Sequence, residues 1–137
     1  MVEIAEIRRS LEAVSVERSM ANITKDEMEQ AQVLADELSE GQEVGSWVET
    51  NIKFHSIFHR ATRTTRLSSI LSTLEEAGGA FVAQAQSLHP EIRRQAVAEH
   101  YALIDACTAN DVETAVKIGL RHVNHPLVAH EMGSSSQ

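Results

Sequence analysis

The chain has 137 residues, of which 42% are hydrophobic, 23% charged and only 4% aromatic, with 12 basic against 20 acidic residues and a formal charge of −8. That length suits one domain with a single core, and the composition excludes a collagen-like or low-complexity chain and argues against disorder. The acidic balance lacks the basic footprint of nucleic-acid binding, so the chain by itself is not expected to contact DNA.

Helical periodicity runs from end to end. Ile4, Ile7, Leu11 and Val14 recur at spacings of three and four, predicting a first helix over about residues 2–21. Thr24-Lys25-Asp26-Glu27 reads as a capping box that opens a second helix, with Met28, Ala31, Ala35 and Leu38 as its stripe and Gly41 as its stop. Ser46-Trp47-Val48-Glu49 reads as another capping box, for a third helix reaching about Ala61. Thr62, Thr64 and Thr65 form a polar break. A long fourth segment carries Leu67, Ile70, Leu71, Leu74, Ala77, Phe81, Ala85 and Leu88, and Gly78-Gly79 could kink it or admit a close neighbour.

Pro90 suits the first turn of a fifth helix, on which Ile92, Ala96, His100, Leu103 and Cys107 share a side. Asn110-Asp111-Val112-Glu113 reads as a third capping box, before a sixth helix with Val112, Ala115, Gly119 and His122 on one face. Pro126 is expected to end or bend that helix. The prediction is an all-α fold, an antiparallel bundle of about six helices, with one domain over residues 1–130 and a flexible tail over 131–137. No apolar run is long enough to span a membrane, and a charge already at Glu3 does not fit a secretory signal. The single cysteine, Cys107, can form no internal disulfide, and a cytoplasmic setting is expected.

Seven histidines are available, and their placement carries the chemistry. His55 is expected on the inward face of the third helix with Val48, Ile52, Phe58 and Thr62, His100 within the stripe of the fifth, and His122 within that of the sixth. Asn51 lies one turn before His55 on the same face. An Asn-x-x-x-His pair plus one histidine from each of two other helices could supply three nitrogens and an amide oxygen to one divalent ion, leaving positions open. The plainer reading makes each imidazole a core residue bonded to a carbonyl or carboxylate. Three unpaired buried imidazoles would each cost about 1–3 kcal/mol, which a shared ion would offset.

His59, four residues after His55, either lines the same cavity or simply packs. His89 is expected at a helix entry, and His125 and His130 in solvent near a helix end. Cys107 is expected to be inert packing, and Glu99 to face solvent or to support a neighbouring ligand rather than act as a base. Arg8 is close enough to the first stripe to reach inward. There is no Gly-rich phosphate loop, CxxC pair, HExxH pair or GxSxG elbow.

Taken in order, Glu6-Ile7-Arg8-Arg9-Ser10-Leu11-Glu12, Asn51-Ile52-Lys53-Phe54-His55, Glu99-His100, Asp111 and His122 resemble the FCD domain, the C-terminal effector-binding domain of the FadR branch of GntR-type transcription regulators. The spacing of eleven residues from His100 to Asp111 and eleven again to His122 matches that pattern, over about residues 3–125. The resemblance implies a dimerising helical bundle that holds a divalent metal through Asn51, His55, His100 and His122. It also implies a small organic carboxylate as effector, met by Arg8. Asn51 stands where Asp is more usual, which removes one negative charge from the site. Full-length members carry an N-terminal winged helix-turn-helix, which is absent from this chain.

The expected function is therefore ligand sensing, not catalysis. A carboxylate effector would tune DNA binding by a domain outside this chain. Zinc or nickel suits the nitrogen-rich set best, with manganese or iron also admissible. Two rivals are a metal-dependent hydrolase and a metal-free helical interaction module.

Overall fold

The structure, a computed structural model, describes the backbone of residues 2–135 and, within it, the side chains of all but residues 2, 80–82, 85, 87–88 and 124–135. Six α-helices follow in order among the described residues: α1 Val2–Asn22, α2 Lys25–Ser39, α3 Val44–Ala61, α4 Thr65–Leu88, α5 Glu91–Thr108 and α6 Val112–Ser135. They pack as an all-α bundle, in which α1 lies against α6, α3 and α4, α2 against α3 and α5, and α5 against α6. None of these helices is long and apolar enough to cross a membrane.

Helix starts and stops follow local chemistry. The Thr24 side chain accepts from the Glu27 N–H at 3.1 Å, and Glu27 Oε1 accepts from the Thr24 N–H at 2.9 Å, so the predicted box at α2 forms in full. Gly41 follows the end of α2 at φ +83°, a left-handed conformation that a glycine adopts without steric cost. Two other predicted boxes are displaced. α3 begins at Val44 and is capped by Glu43, whose carboxylate accepts from Gly45 N–H, so Ser46 lies inside the helix rather than before it. α6 begins one residue later than the sequence suggested: Asn110 takes the left-handed conformation, and Asp111 is the cap that accepts from Thr114 N–H at 3.2 Å. In both places a neighbouring carboxylate serves as the acceptor.

Pro90 is the cap of α5 rather than its first residue. α4 runs unbroken through Gly78-Gly79, where a Cβ on Gly79 would make ordinary contact with Val48 at 3.6 Å. α6 passes Pro126 and continues to Ser135, so the stop predicted at that proline is not where the helix ends. The expectations for the side chains of Phe81, Ala85, Leu88, His125 and His130 lie outside the described residues.

The main core joins α2, α3 and α5. Ala31, Ala35 and Leu38 meet Trp47, Phe54, Ile57 and Phe58, with Ala96 and Ile104 closing the cluster. Trp47 is fully buried, and its indole N–H donates to Leu38 O at 3.2 Å, so its one polar atom is satisfied. A smaller cluster of Val16, Ala106, Ala115 and Ile118 joins α1, α5 and α6. His55, His59, His100 and His122 lie among these helices.

The face of α1 differs from its predicted stripe. Ile7 is 41% exposed, while Ala5, Ser15, Val16 and Ser19 are buried. Hydropathy pointed at Ile4, Ile7, Leu11 and Val14, but the inward face is partly polar because it lines a cavity.

Candidate metal and effector site

The bundle encloses a cavity of about 40 Å³, room for a few water molecules. Arg8, Glu12, Ser15 and Ser19 line it from α1, His55 and His59 from α3, Glu99 and His100 from α5, and Gly119 and His122 from α6.

Three of the four predicted metal ligands converge. One ring nitrogen from each of His55, His100 and His122 falls within 4.8 Å of the others. His122 Nε2 stands 3.2 Å from His55 Nε2, a separation normal for two donors sharing one ion. Two ligands at zinc–nitrogen bond lengths can lie at most about 4.2 Å apart, so a bound ion would draw the widest pair in by a fraction of an ångström.

The surroundings of His100 are more telling. The residue is 1% exposed, with its ring stacked on Phe54 at 4.2 Å between centroids. Neither of its ring nitrogens finds a hydrogen-bond partner among the described residues. Asn51, the fourth predicted ligand, is also buried, one turn before His55, and its Oδ1 is likewise unpartnered. The expectation that core imidazoles would each bond to a nearby carbonyl or carboxylate fails at His100. Buried acceptors are rarely left so, and two of them within one predicted ligand set fit a cation.

Burial holds both His55 and His100 well below the ordinary histidine pKa, and the neighbouring His122 pushes them the same way. His59, also predicted to face the cavity, does line it. Burial pushes it down to about 4 against the raising influence of Glu75. These rings are therefore neutral near pH 7, the form that ligates metal.

The supporting partner of His122 is Glu99, whose Oε1 lies 2.9 Å from Nδ1. Glu99 is 8% exposed, so of the two roles foreseen for it, solvent-facing or supporting, the structure gives the second. A carboxylate on Nδ1 fixes the proton there and leaves the Nε2 lone pair for an ion.

Arg8 reaches the cavity as predicted, but it is already engaged: its guanidinium lies 2.7 Å from Glu75 Oε2 across the α1–α4 contact. Two residues were missed by sequence reasoning. Glu75 sits in the α4 stripe region without any motif to mark it. Glu12 lines the cavity beside Gly119, and burial raises its carboxyl pKa against the lowering influence of Arg8. The available signal was spacing, because Glu12 is four residues after Arg8 and so shares its face. Cys107 also borders the cavity, with its thiol pushed up to about 11 by burial, which leaves it unreactive.

Fold and site together define an all-helical bundle whose cavity is backed by an imidazole cluster. The FCD domain model matches residues 3–125, and the chain belongs to the FCD family, the effector-binding domains of GntR-type regulators. Its fold is similar to that of "E. coli McbR/YncC", at a TM-score of 0.80 and 20% identity over 95% of this chain. The chain spans 64% of that protein. No curated protein matches the sequence.

Proposed function

We propose that this chain is a metal-containing sensor for a small organic carboxylate. Asn51, His55, His100 and His122 would hold one divalent ion, zinc or nickel by preference and manganese or iron by tolerance. The ion would supply a Lewis-acid position for a carboxylate oxygen. Arg8 would pair with the same carboxylate through charge-assisted hydrogen bonds, with His59 on the cavity wall. The single observation that carries this reading is the buried, unpartnered state of both His100 nitrogens within reach of His55 and His122.

Effector binding would shift the packing of α1 against α3 and α6, two of the helices that share the cavity with it. In a full regulator that shift would pass to a DNA-binding domain elsewhere, which agrees with the acidic charge of this chain. We place the sensor in the cytoplasm, as one domain over residues 1–130 acting within a homodimer. Ile7 on α1 and Ile70 on α4 are exposed apolar residues that suit such a contact. Mass measurement in solution checks the dimer.

The test is elemental analysis of protein purified without an affinity-tag metal, followed by a thermal-shift screen of mono-, di- and tricarboxylates with and without chelator. One ion per chain and chelator-sensitive stabilisation by a carboxylate are expected, and His100→Ala should abolish both. Absence of stoichiometric metal, together with no effect of added zinc or nickel on the melting temperature, would overturn the metal mechanism. A hydrolase would need a base beside the ion, a position Glu12 could fill; turnover on an ester and phosphoester panel would establish that reading instead.

A further inference from the structure

α1 presents more to the cavity than the arginine. Arg8, Glu12, Ser15 and Ser19 follow one another at spacings of four, three and four, and all four line the cavity. The helix facing them across Glu12 is α6, and the residue it places there is Gly119. A Cβ at that position would overlap the Glu12 carboxyl oxygen and lie 3.1 Å from both Cγ and Cδ of the same side chain. Glycine within a helix is unfavourable relative to alanine, so its presence in α6 needs a packing reason. Glu12 supplies one: with glycine at this position the carboxyl keeps its place between α1 and α6, one turn before His122, whereas a larger residue would make it move. Arg8 is already paired with Glu75, and no hydrogen bond among the described residues engages Glu12.

We propose that Glu12 is a specificity-determining residue of the cavity, seated there by Gly119, and that it accepts a hydrogen bond from a hydroxyl or ammonium group on a short carboxylate effector. The inference rests on the effector reading above and names the class of acid. A carboxyl accepts through an unprotonated oxygen in either of its protonation states, so the preference for a donor does not depend on charge. Side chains one helical turn apart have Cβ atoms about 5–6 Å apart, so Arg8 and Glu12 can meet one small molecule. An effector that turned an alkyl group toward Glu12 would bury the carboxyl without a partner, the arrangement by which binding sites reject analogues that lack a polar group.

The experiment uses the full chain loaded with zinc and titrates propanoate, lactate and alanine, which share a three-carbon skeleton and differ only in hydrogen, hydroxyl or ammonium at one carbon. Lactate, alanine or both should bind at least about tenfold more tightly than propanoate, and which of them does so identifies the donor. Glu12→Ala should erase that difference. Gly119→Ala should do the same by expelling Glu12 from its seat, with the circular dichroism spectrum unchanged. Glu12→Gln, which keeps an acceptor oxygen, should preserve a preference for lactate.

Equal binding of the three acids by the unaltered chain would overturn the role of Glu12 and leave the effector reading standing. A preference that survives Glu12→Ala would also overturn it, because chelation of the donor by the ion would then be its source. Failure of every carboxylate in the wider screen to bind would remove both readings together.

Discussion

His122 faces two partners at once: Nδ1 lies 2.9 Å from Glu99 Oε1, and Nε2 lies 3.2 Å from His55 Nε2. Glu99 adjoins His100 in sequence, yet it serves the histidine of another helix. One carboxylate therefore fixes the tautomer of a ring 23 residues away and ties α5 to α6 at the site.

Glu99→Gln should keep the fold and weaken metal binding by about 10- to 100-fold, the usual loss when the carboxylate behind a ligating histidine is removed. Competition against a chelator of known affinity reads the effect. An unchanged affinity would mean that His122 does not ligate through Nε2.

Asn51→Asp should tighten metal binding by at least about tenfold, because it restores a charged oxygen donor next to a divalent ion. It should also weaken the carboxylate effector, since the ion would then carry less uncompensated charge. Asn51→Leu should weaken the metal instead. Calorimetric titration of metal, then of effector, separates the two effects.

Stability without metal should fall as the pH falls from about 6.5 toward 4. The unfolded chain protonates its histidines near 6.5, whereas native His59 does so only at about 4, and His55 and His100 are also held well below the ordinary value. The unfolded state therefore binds more protons throughout this window, so stability rises with pH across it. His59 alone accounts for about 3 kcal/mol, and His55 and His100 act in the same direction. Glu12, whose carboxyl pKa is raised by burial, acts in the opposite direction. Urea midpoints at pH 7.5, 6.0 and 5.0 measure the balance.

Arg8→Ala should destabilise the chain by about 3–5 kcal/mol, because it leaves the buried Glu75 carboxylate without its cation. Replacing both partners with apolar residues, Arg8→Met with Glu75→Leu, should recover most of that loss. Neither variant should respond to a carboxylate effector. Chemical denaturation and thermal shift, read side by side, distinguish the structural from the binding contribution.

Much of the site was legible one helix at a time. His55, His100 and His122 stand out because each interrupts an apolar stripe, and Asn51 because it is one turn before the first of them. Arg8 came from the resemblance and from its nearness to a stripe. Glu12, Glu75 and the pairing of Glu99 with His122 were not legible, because each depends on which residue of a different helix lies opposite. Gly119 read as one small member of the α6 stripe. Its purpose becomes visible only against Glu12.

What the sequence determined by itself is the set of elements and the family: periodicity and turn chemistry are local, and so they fix the six helices and most of their ends, though not the C-terminal end of α6. What only the tertiary structure decided is how those helices are rotated. α1 turns Ile7 toward solvent and Ser15 and Ser19 inward, against the hydropathy pattern, because α1 borders a cavity of mixed lining, where Arg8, Glu12 and the histidines meet Val16, Phe58, Leu103 and Ile118. A helix's apolar face predicts its orientation only where it packs against apolar side chains alone, and around this cavity polar and apolar groups share the lining.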